Sequence, residues 1–218
     1  MRGLFFAQRK YSHIKSIQGE LKMTQKKYEL LKNDTITIPN GKTLYRIKAL
    51  IDFDLVVAGS LGGYIEKEDN LAHSGNAWVY DNAQVYGNAQ MYDNAQVYGD
   101  ARVYGKAQVF NNAWVSDNAW VHGDAQVSGN ARVSGNAWVS DNDDLIWFSK
   151  VGTEQGTLTV YKSKDDSLLA TRGCFSGTVD EFLAKSAKVH NERVKREYQL
   201  LIEVAKSRLL GESYAPSF

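Results

Sequence analysis

The chain has 218 residues and a formal net charge of +1, from 26 basic and 25 acidic side chains. This near balance argues against bulk electrostatic binding to nucleic acid or to an anionic membrane, so we expect neither as a partner. The single cysteine, Cys174, excludes an intramolecular disulfide and a multi-cysteine metal site. No apolar run approaches the roughly 18 residues of a membrane span, and residues 3–7 are too short for a signal-peptide core. We therefore expect a cytoplasmic protein.

The first 64 residues are predicted to form an extension and a cap. Residues 1–22 are basic and lack a clear apolar face, so we expect them to be poorly ordered or loosely packed. Residues 23–64 are the predicted N-terminal cap. Within it, residues 35–38 and 43–50 are predicted strands on either side of Asn40-Gly41, a dipeptide that favours the tight turn of a β-hairpin.

Residues 75–140 consist of one hexapeptide repeated 11 times without an insertion. The first copy is Gly-Asn-Ala-Trp-Val-Tyr, and Ala holds the third place of every copy. Val holds the fifth place in every copy except one, where Met91 replaces it. Because Ala and Val are two residues apart, they share one face of a short strand, and the residues between and after them point the other way. The Gly, Asn and Asp residues that open each copy tolerate the positive φ of a tight corner.

This Asn-Ala-x-Val repeat resembles the left-handed parallel β-helix of hexapeptide-repeat proteins. The resemblance implies three hexapeptides per 18-residue coil and a triangular cross-section. Ile65 and Leu71 fall on the interior Ala register, so the predicted helix spans residues 65–142. A right-handed β-helix and a disordered repeat are the alternatives. We therefore predict a mainly β protein, a β-helix whose exposed end coils need caps.

Residues 143–218 are predicted to form a C-terminal cap of one β-hairpin and a helix. Residues 157–161 and 167–172 are the predicted strands. Thr178, followed three residues later by Glu181, matches a capping box at a helix start. Apolar residues at helical spacing then extend to residue 210, with a break predicted near His190-Asn191.

Segments on both sides of the repeat also resemble uncharacterised bacterial and prophage proteins. The shared segments are Leu-Gly-Gly-Tyr-Ile-Glu at residues 61–66 and Gly-Cys-Phe-Ser-Gly-Thr at residues 173–178. The resemblance covers most of residues 24–210. It implies no established activity.

No residue pattern predicts a catalytic or metal site. Many relatives of the β-helix class are acyltransferases, and a few are metal-dependent carbonic anhydrases, so an acyltransferase using an acyl-CoA-type donor is the alternative function. His122 is the only histidine in the repeat and takes an outward position, where a polar surface role explains it. Cys174 lies outside any catalytic motif and is predicted to be half-buried in a turn. The Asp residues at the corners fit corner geometry without calcium, and we predict no cofactor and no metal.

Stacking at 18-residue spacing sorts the outward side chains into three faces. Face one carries the columns Trp78, Gln96, Trp114, Arg132 and Tyr80, Tyr98, Ser116, Ser134. Face two carries the columns Gln84, Arg102, Trp120, Trp138 and Tyr86, Tyr104, His122, Ser140. Face three carries the columns Gln90, Gln108, Gln126 and Tyr92, Phe110, Ser128.

The outward aromatic residues suggest a surface for association. Aromatic ladders stabilise a sheet by themselves, but a large exposed aromatic patch is typical of protein interfaces. The candidate interface residues are Trp78, Trp114, Trp120, Trp138, Tyr80, Tyr98, Tyr86, Tyr104 and Arg102. We predict a non-enzymatic scaffold or protein-binding module that forms a dimer or trimer and that binds, in the prophage interpretation, a protein of the host.

Overall fold

The structure is a computed structural model that describes residues 25–211, so the prediction for residues 1–22 lies outside the described residues. Its short strands follow the repeat, and longer strands lie at both ends. The strands are β1 (Tyr28–Thr37), β2 (Thr43–Ala49), β3 (Leu61–Ile65), β4 (Trp78–Val79), β5 (Gln84–Val85), β6 (Gln90–Met91), β7 (Gln96–Val97), β8 (Arg102–Val103), β9 (Gln108–Val109), β10 (Trp114–Val115), β11 (Trp120–Val121), β12 (Gln126–Val127), β13 (Arg132–Val133), β14 (Trp138–Val139), β15 (Leu145–Val151), β16 (Gly156–Lys162), β17 (Leu168–Arg172) and β18 (Phe175–Thr178). The helices are α1 (Val179–Val189) and α2 (Glu192–Leu210).

Strands β4–β14 form a parallel solenoid with three hexapeptides per coil, as predicted. Each of the strands β4–β11 pairs in parallel with the strand three positions later, so that Trp78 lies beside Gln96 and Trp120 beside Trp138. Backbone N–H groups of one coil donate to carbonyl oxygens of the next, as in the 2.9 Å bond from Trp120 N to Ala137 O. These three ladders are the three predicted faces.

The interior of the solenoid is filled by the Ala and Val columns of the repeat. Every repeat Ala is buried, as are every repeat Val and Met91. Val103, midway along the tube, is 0% exposed. Small side chains suit this narrow interior because a packed core leaves no space for larger ones. The predicted inward register is therefore confirmed.

The corners of the coils are held by Asp and Asn side chains as well as by positive φ angles. Asp81 has φ 50°, and its carboxylate accepts a hydrogen bond from Gly99 N, one coil later, at 3.0 Å. Asp117 accepts one from Gly135 N at 2.9 Å in the same way. At the corner between faces three and one, the side-chain amides of Asn76, Asn94, Asn112 and Asn130 form a continuous hydrogen-bonded ladder. These hydrogen bonds connect successive coils.

The N-terminal cap continues the sheet of face two. Strands β1 and β2 form the predicted hairpin, with Gly41 at φ 84° in its turn. Strand β2 pairs antiparallel with β3, and β3 pairs in parallel with β5. Ile65 and Leu71 are both buried, and Leu71 bridges in parallel to Met91. A single seven-stranded sheet therefore extends from β1 to β14.

The C-terminal cap contains more strands than we predicted. The predicted hairpin is β16 and β17, but β15 and β18 extend it to a four-stranded antiparallel sheet. The capping box is confirmed, since Thr178 Oγ1 accepts from Glu181 N and the Glu181 carboxylate accepts from Thr178 N. The predicted break separates α1 from α2, which Asn191 caps. Cys174 lies in the β17–β18 turn and is exposed, so the half-buried prediction was wrong.

Candidate protein-interaction surface

Face one is partly covered by the N-terminal cap of the same chain, which buries Trp78. Trp78 is 1% exposed, and the rings of Phe53 and Tyr28 pack edge-on against it at 5.3 and 6.1 Å. Gly62 lies so close that a Cβ there would sit 2.8 Å from the Trp78 ring. The prediction that Trp78 faces solvent was wrong because residues 50–63 fold over the first coil. The Gly62-Gly63 pair is the one sequence signal of this close approach.

The C-terminal cap covers the other end of face one. Ser134 is buried, and its backbone N–H and hydroxyl contact the hydroxyl of Tyr161 at 3.1 and 3.2 Å. Thr171 Oγ1 donates to Arg132 O at 2.6 Å. Trp114 keeps a half-buried position, with the Arg132 guanidinium 4.3 Å from its ring centroid. Within the part of the chain that the structure describes, the two caps therefore leave the middle of face one open.

Tyr80 and Tyr98, the remaining candidates on face one, are half-buried. Tyr80 packs against the solenoid core at the N-terminal end, and burial raises its pKa. Tyr98 meets Trp114 edge-on with ring centroids 6.1 Å apart. These two rings thus contribute to packing within the chain and offer a small contact area.

Face two presents a continuous ladder of rings along the solenoid. Tyr86 stacks on Tyr104 at 5.0 Å with an interplanar angle of 2°, and Tyr104 stacks on His122 at 4.9 Å with an angle of 10°. Trp120 stacks on Trp138, one coil later, at 4.9 Å. Each ring is half-buried, so part of it remains accessible. We call this surface the aromatic face; its residues are Tyr86, Arg102, Tyr104, Trp120, His122 and Trp138.

The two columns of the aromatic face also contact each other. Tyr104 meets Trp120 edge-on at 6.1 Å, and His122 meets Trp138 edge-on at 4.9 Å. The guanidinium of Arg102 lies 4.8 Å from the Trp120 ring centroid, in a cation–π contact. A groove of about 550 Å³ adjoins Trp120 and Trp138, between Asn118 and Asn136 and the β16–β17 turn.

Two polar atoms of the aromatic face have no hydrogen-bond partner among the described residues. These atoms are Arg102 Nε and His122 Nε2, and both are buried. A buried polar atom without a partner costs about 1–3 kcal/mol. Burial lowers the pKa of His122, and the carboxylate of Asp144 only partly opposes that shift. Burial therefore favours the neutral form of the His122 ring, whose Nε2 has no partner among the described residues.

Neither of the two histidines that could serve as a base lies in a deep cleft. His122 is wedged between the rings of Tyr104 and Trp138. His190 borders a small pocket of about 280 Å³ in the C-terminal cap, which Cys174 and Lys185 also line. Across residues 25–211, the His, Cys, Asp and Glu side chains form no group of three or more that could hold a metal ion. Neither helix of that region is long and apolar enough to cross a membrane.

Comparisons with known proteins agree with this architecture. A model of the YdcK β-solenoid repeat matches residues 95–109, 107–123 and 125–141. The chain is also similar to the "Uncharacterized acetyltransferase YdcK" of Escherichia coli (strain K12), with 50% identity over 38 residues. That segment is 17% of this chain and covers only 12% of the length of that relative. Together with the stacked parallel strands, these matches identify the chain as a β-solenoid repeat protein.

Proposed function

We propose that this chain is a non-enzymatic protein-binding module and that the aromatic face is its binding surface. The observation that carries the proposal is the contiguity of the face, in which stacked rings surround one arginine. Trp, Tyr and Arg are the residues that contribute most binding energy at protein interfaces, above all when they cluster at the centre. Among residues 25–211, face two is also the only one of the three faces whose sheet continues into the N-terminal cap.

The geometry of the rings favours a protein partner over a nucleic acid. Single-stranded nucleic acid binds by stacking its bases on exposed ring faces, but neighbouring rings of the aromatic face already cover one another. Asp81, Asp100 and Asp117 border face two and would repel phosphate groups. Protein side chains, in contrast, pack well against ring edges. The prophage resemblance adds the finer proposal that the partner is a host protein that this chain binds or inhibits.

The first test is a quantitative capture experiment with matched variants. Tyr104→Ala/Trp120→Ala removes two contacting rings from face two, and Tyr92→Ala/Phe110→Ala removes two stacked rings from face three. Each variant loses ring contacts on one sheet, so a loss of stability alone would affect both variants in the same way. We expect a protein captured by the wild type to be lost with the first variant and retained with the second, and to bind the purified wild type directly. Equal retention by both variants would contradict the proposal.

An acyltransferase is the alternative function, and the name of the YdcK relative is the observation that favours it. His122 is the candidate base of the repeat, and His190 is the candidate base in the cap. The test is release of free thiol from acetyl-CoA in the presence of amine and hydroxyl acceptors. Under the proposed function, wild type and His122→Ala both leave the donor intact. Acetyl transfer that disappears in His122→Ala or His190→Ala would establish the enzyme instead.

A further inference from the structure

A small pocket of about 280 Å³ lies in the C-terminal cap, between the β17–β18 turn and helix α1. Helix α1 contributes Phe182, Lys185, Ser186 and Val189 to its lining, at positions i, i+3, i+4 and i+7. Side chains at this spacing share one face of a helix, so the side chain of Ser186 points towards the pocket. The lining contains no residue of the aromatic face, and the pocket is therefore a separate site.

The hydroxyl of Ser186 is buried without a hydrogen-bond partner. Ser186 is 3% exposed, and its Oγ contacts no donor or acceptor among the described residues. A serine within a helix can donate its hydroxyl hydrogen to a carbonyl oxygen of the preceding turn, but this hydroxyl makes no such bond. A buried hydroxyl without a partner destabilises the folded chain. A ligand with an acceptor oxygen in the pocket would remove that cost.

Arg172 supplies a second donor without a partner to the lining of the same pocket. Its Nε is buried and has no acceptor among the described residues, whereas its Nη2 donates to Val151 O at 3.0 Å. Gly156 fixes the position of the guanidinium, because a Cβ there would collide with it. Since a guanidinium nitrogen can only donate, the Nε–H requires an acceptor. The pocket therefore combines two buried groups that an acceptor oxygen of a ligand would satisfy.

The charges of the lining favour an anion that carries one negative charge. Arg172 and Lys185 exceed the one acidic residue of the lining, Glu154, by one charge. Glu197 is close by but outside the lining, and its carboxylate accepts a hydrogen bond from Gly152 N at 3.2 Å. A single carboxylate would balance the excess positive charge, whereas a dianion would exceed it.

The remaining walls of the pocket are aromatic and pack against one another. The ring of Phe182 lies 5.4 Å from that of Phe175 and 4.9 Å from that of Tyr198. The His190 ring lies 5.6 Å from Tyr198, and the Lys185 ammonium lies 5.4 Å from the centroid of Phe175. Ring surfaces therefore stand beside the cationic groups, an arrangement that suits a ligand with an apolar body and a charged end.

We propose that this pocket binds a small aromatic carboxylate. The two oxygens of a carboxylate offer enough acceptor sites for the Nε–H of Arg172 and the hydroxyl of Ser186, and hydrogen bonds to an ionised acceptor are the strong ones. The rings of Phe182 and Tyr198 then pack against the ring of the ligand. The volume of about 280 Å³ lies at the lower end of the range for small-molecule sites, so the ligand is of the size of benzoate.

The test uses benzoate as the probe, benzamide as its neutral counterpart and inorganic phosphate as an anion without an apolar body. Cys174 lines the pocket and is the single cysteine of the chain, so the rate of its alkylation by iodoacetamide reports whether the pocket is occupied. We expect benzoate to slow alkylation with a midpoint of about 1 mM, and calorimetry to give the same dissociation constant. Benzamide and phosphate should leave the rate unchanged. Equal protection by benzamide, or stronger protection by phosphate, would overturn the proposal.

Ser186→Ala separates ligand binding from folding. This variant loses a hydroxyl that has no partner among the described residues, so it should melt no lower than the wild type and bind benzoate about tenfold more weakly. Lys185→Gln should weaken binding about threefold. Its matched control is Lys188→Gln, at an exposed position of the same helix outside the lining, which should leave binding unchanged.

Two results would overturn the proposal. One is wild-type affinity for benzoate in both Ser186→Ala and Lys185→Gln. The other is no binding of benzoate by the wild type at about ten times the expected midpoint. Neither result would affect the capture experiment, because its variants change rings of the solenoid and leave the lining of the pocket intact.

Discussion

The ammonium group of Lys27 donates a 2.8 Å hydrogen bond to the carbonyl oxygen of Ala77, at the open edge of the first coil. Lys27 is 1% exposed and has no carboxylate within ion-pair distance among the described residues. Its other contacts are the carbonyl of Gly75 at 3.3 Å and the ring of Phe53 at 5.0 Å. The N-terminal end of the solenoid is thus closed by a buried, unpaired cation.

This cation makes stability rise in mild alkali. Burial lowers the pKa of Lys27 from 10.5 to about 8, so between these pH values the unfolded chain binds a proton that the folded chain does not. The penalty for burying the charge is complete below pH 8 and disappears as the pH rises towards 10.5. We expect the free energy of unfolding to increase by about 1.5 kcal/mol from pH 8 to 9.5. Denaturant titration of wild type and Lys27→Met should show the rise only in the wild type.

Lys26→Met is the matched control for this pH effect, because Lys26 is exposed and pairs with Glu68 on the surface. Its pH profile should follow that of the wild type. The measurement must stop near pH 9.5, since burial raises the pKa of Tyr28 and ionisation of that phenol in the unfolded chain lowers stability at higher pH. Parallel profiles for Lys27→Met and the wild type would contradict the prediction.

Asp144 should make the opposite contribution in acid. Burial alone would raise its pKa, but hydrogen bonds from Lys162, the Ser140 hydroxyl and two backbone N–H groups lower the pKa to about 2. The stabilisation is complete above the ordinary pKa of 3.8 and is lost as the pH falls through 2. We expect Asp144→Asn to cost about 2 kcal/mol at pH 6 and almost nothing at pH 2, by thermal denaturation. Asp143→Asn, at an exposed position, should change little at either pH.

Val103 tests the inward register of the repeat. Val103→Asp would place an unpaired carboxylate in the closed interior and should cost about 3 kcal/mol or more. Circular dichroism during heating provides the measurement. Gln90→Asp, at an exposed position of face three, is the control and should shift the melting temperature little. Equal melting of Val103→Asp and the wild type would mean that Val103 does not face the interior.

Two glycines with the same backbone conformation allow the cost of a left-handed φ to be measured separately from the cost of a steric clash. Gly123 has φ 59° and Gly173 has φ 60°. A Cβ at Gly173 would meet no atom within 4 Å, whereas a Cβ at Gly123 would collide with the carbonyl oxygen of Ser140 in the next coil. We expect Gly173→Ala to cost about 1 kcal/mol from the left-handed conformation alone. Gly123→Ala should cost at least about 2 kcal/mol more by denaturant unfolding; similar costs would contradict tight stacking at this corner.

The repeat region was predictable because the family resemblance implies three hexapeptides per coil, and spacing then places every column. Eighteen residues separate Trp120 from Trp138 and Arg102 from Trp120, so their contacts follow once three hexapeptides close a coil. Packing of the caps has no such period. The burial of Trp78 depends on where Phe53 docks, and the role of Lys27 depends on which carbonyls remain open at the first coil. Strands β15 and β18 also escaped prediction because they form by pairing with the hairpin rather than by a pattern of their own.

Because three hexapeptides close one coil, the length of the solenoid can change without any change in how its two ends are rotated relative to each other. Deleting residues 93–110 would remove one complete coil, shorten the tube by about 4.8 Å and leave every column intact. Deleting only residues 105–110 would turn everything after them by a third of a revolution, so that Trp120 would lie below Gln96 instead of Arg102. Insertions or deletions of 18 residues can therefore change the length of such a solenoid and keep its faces intact. Those that are not multiples of 18 residues would move side chains from one face to another.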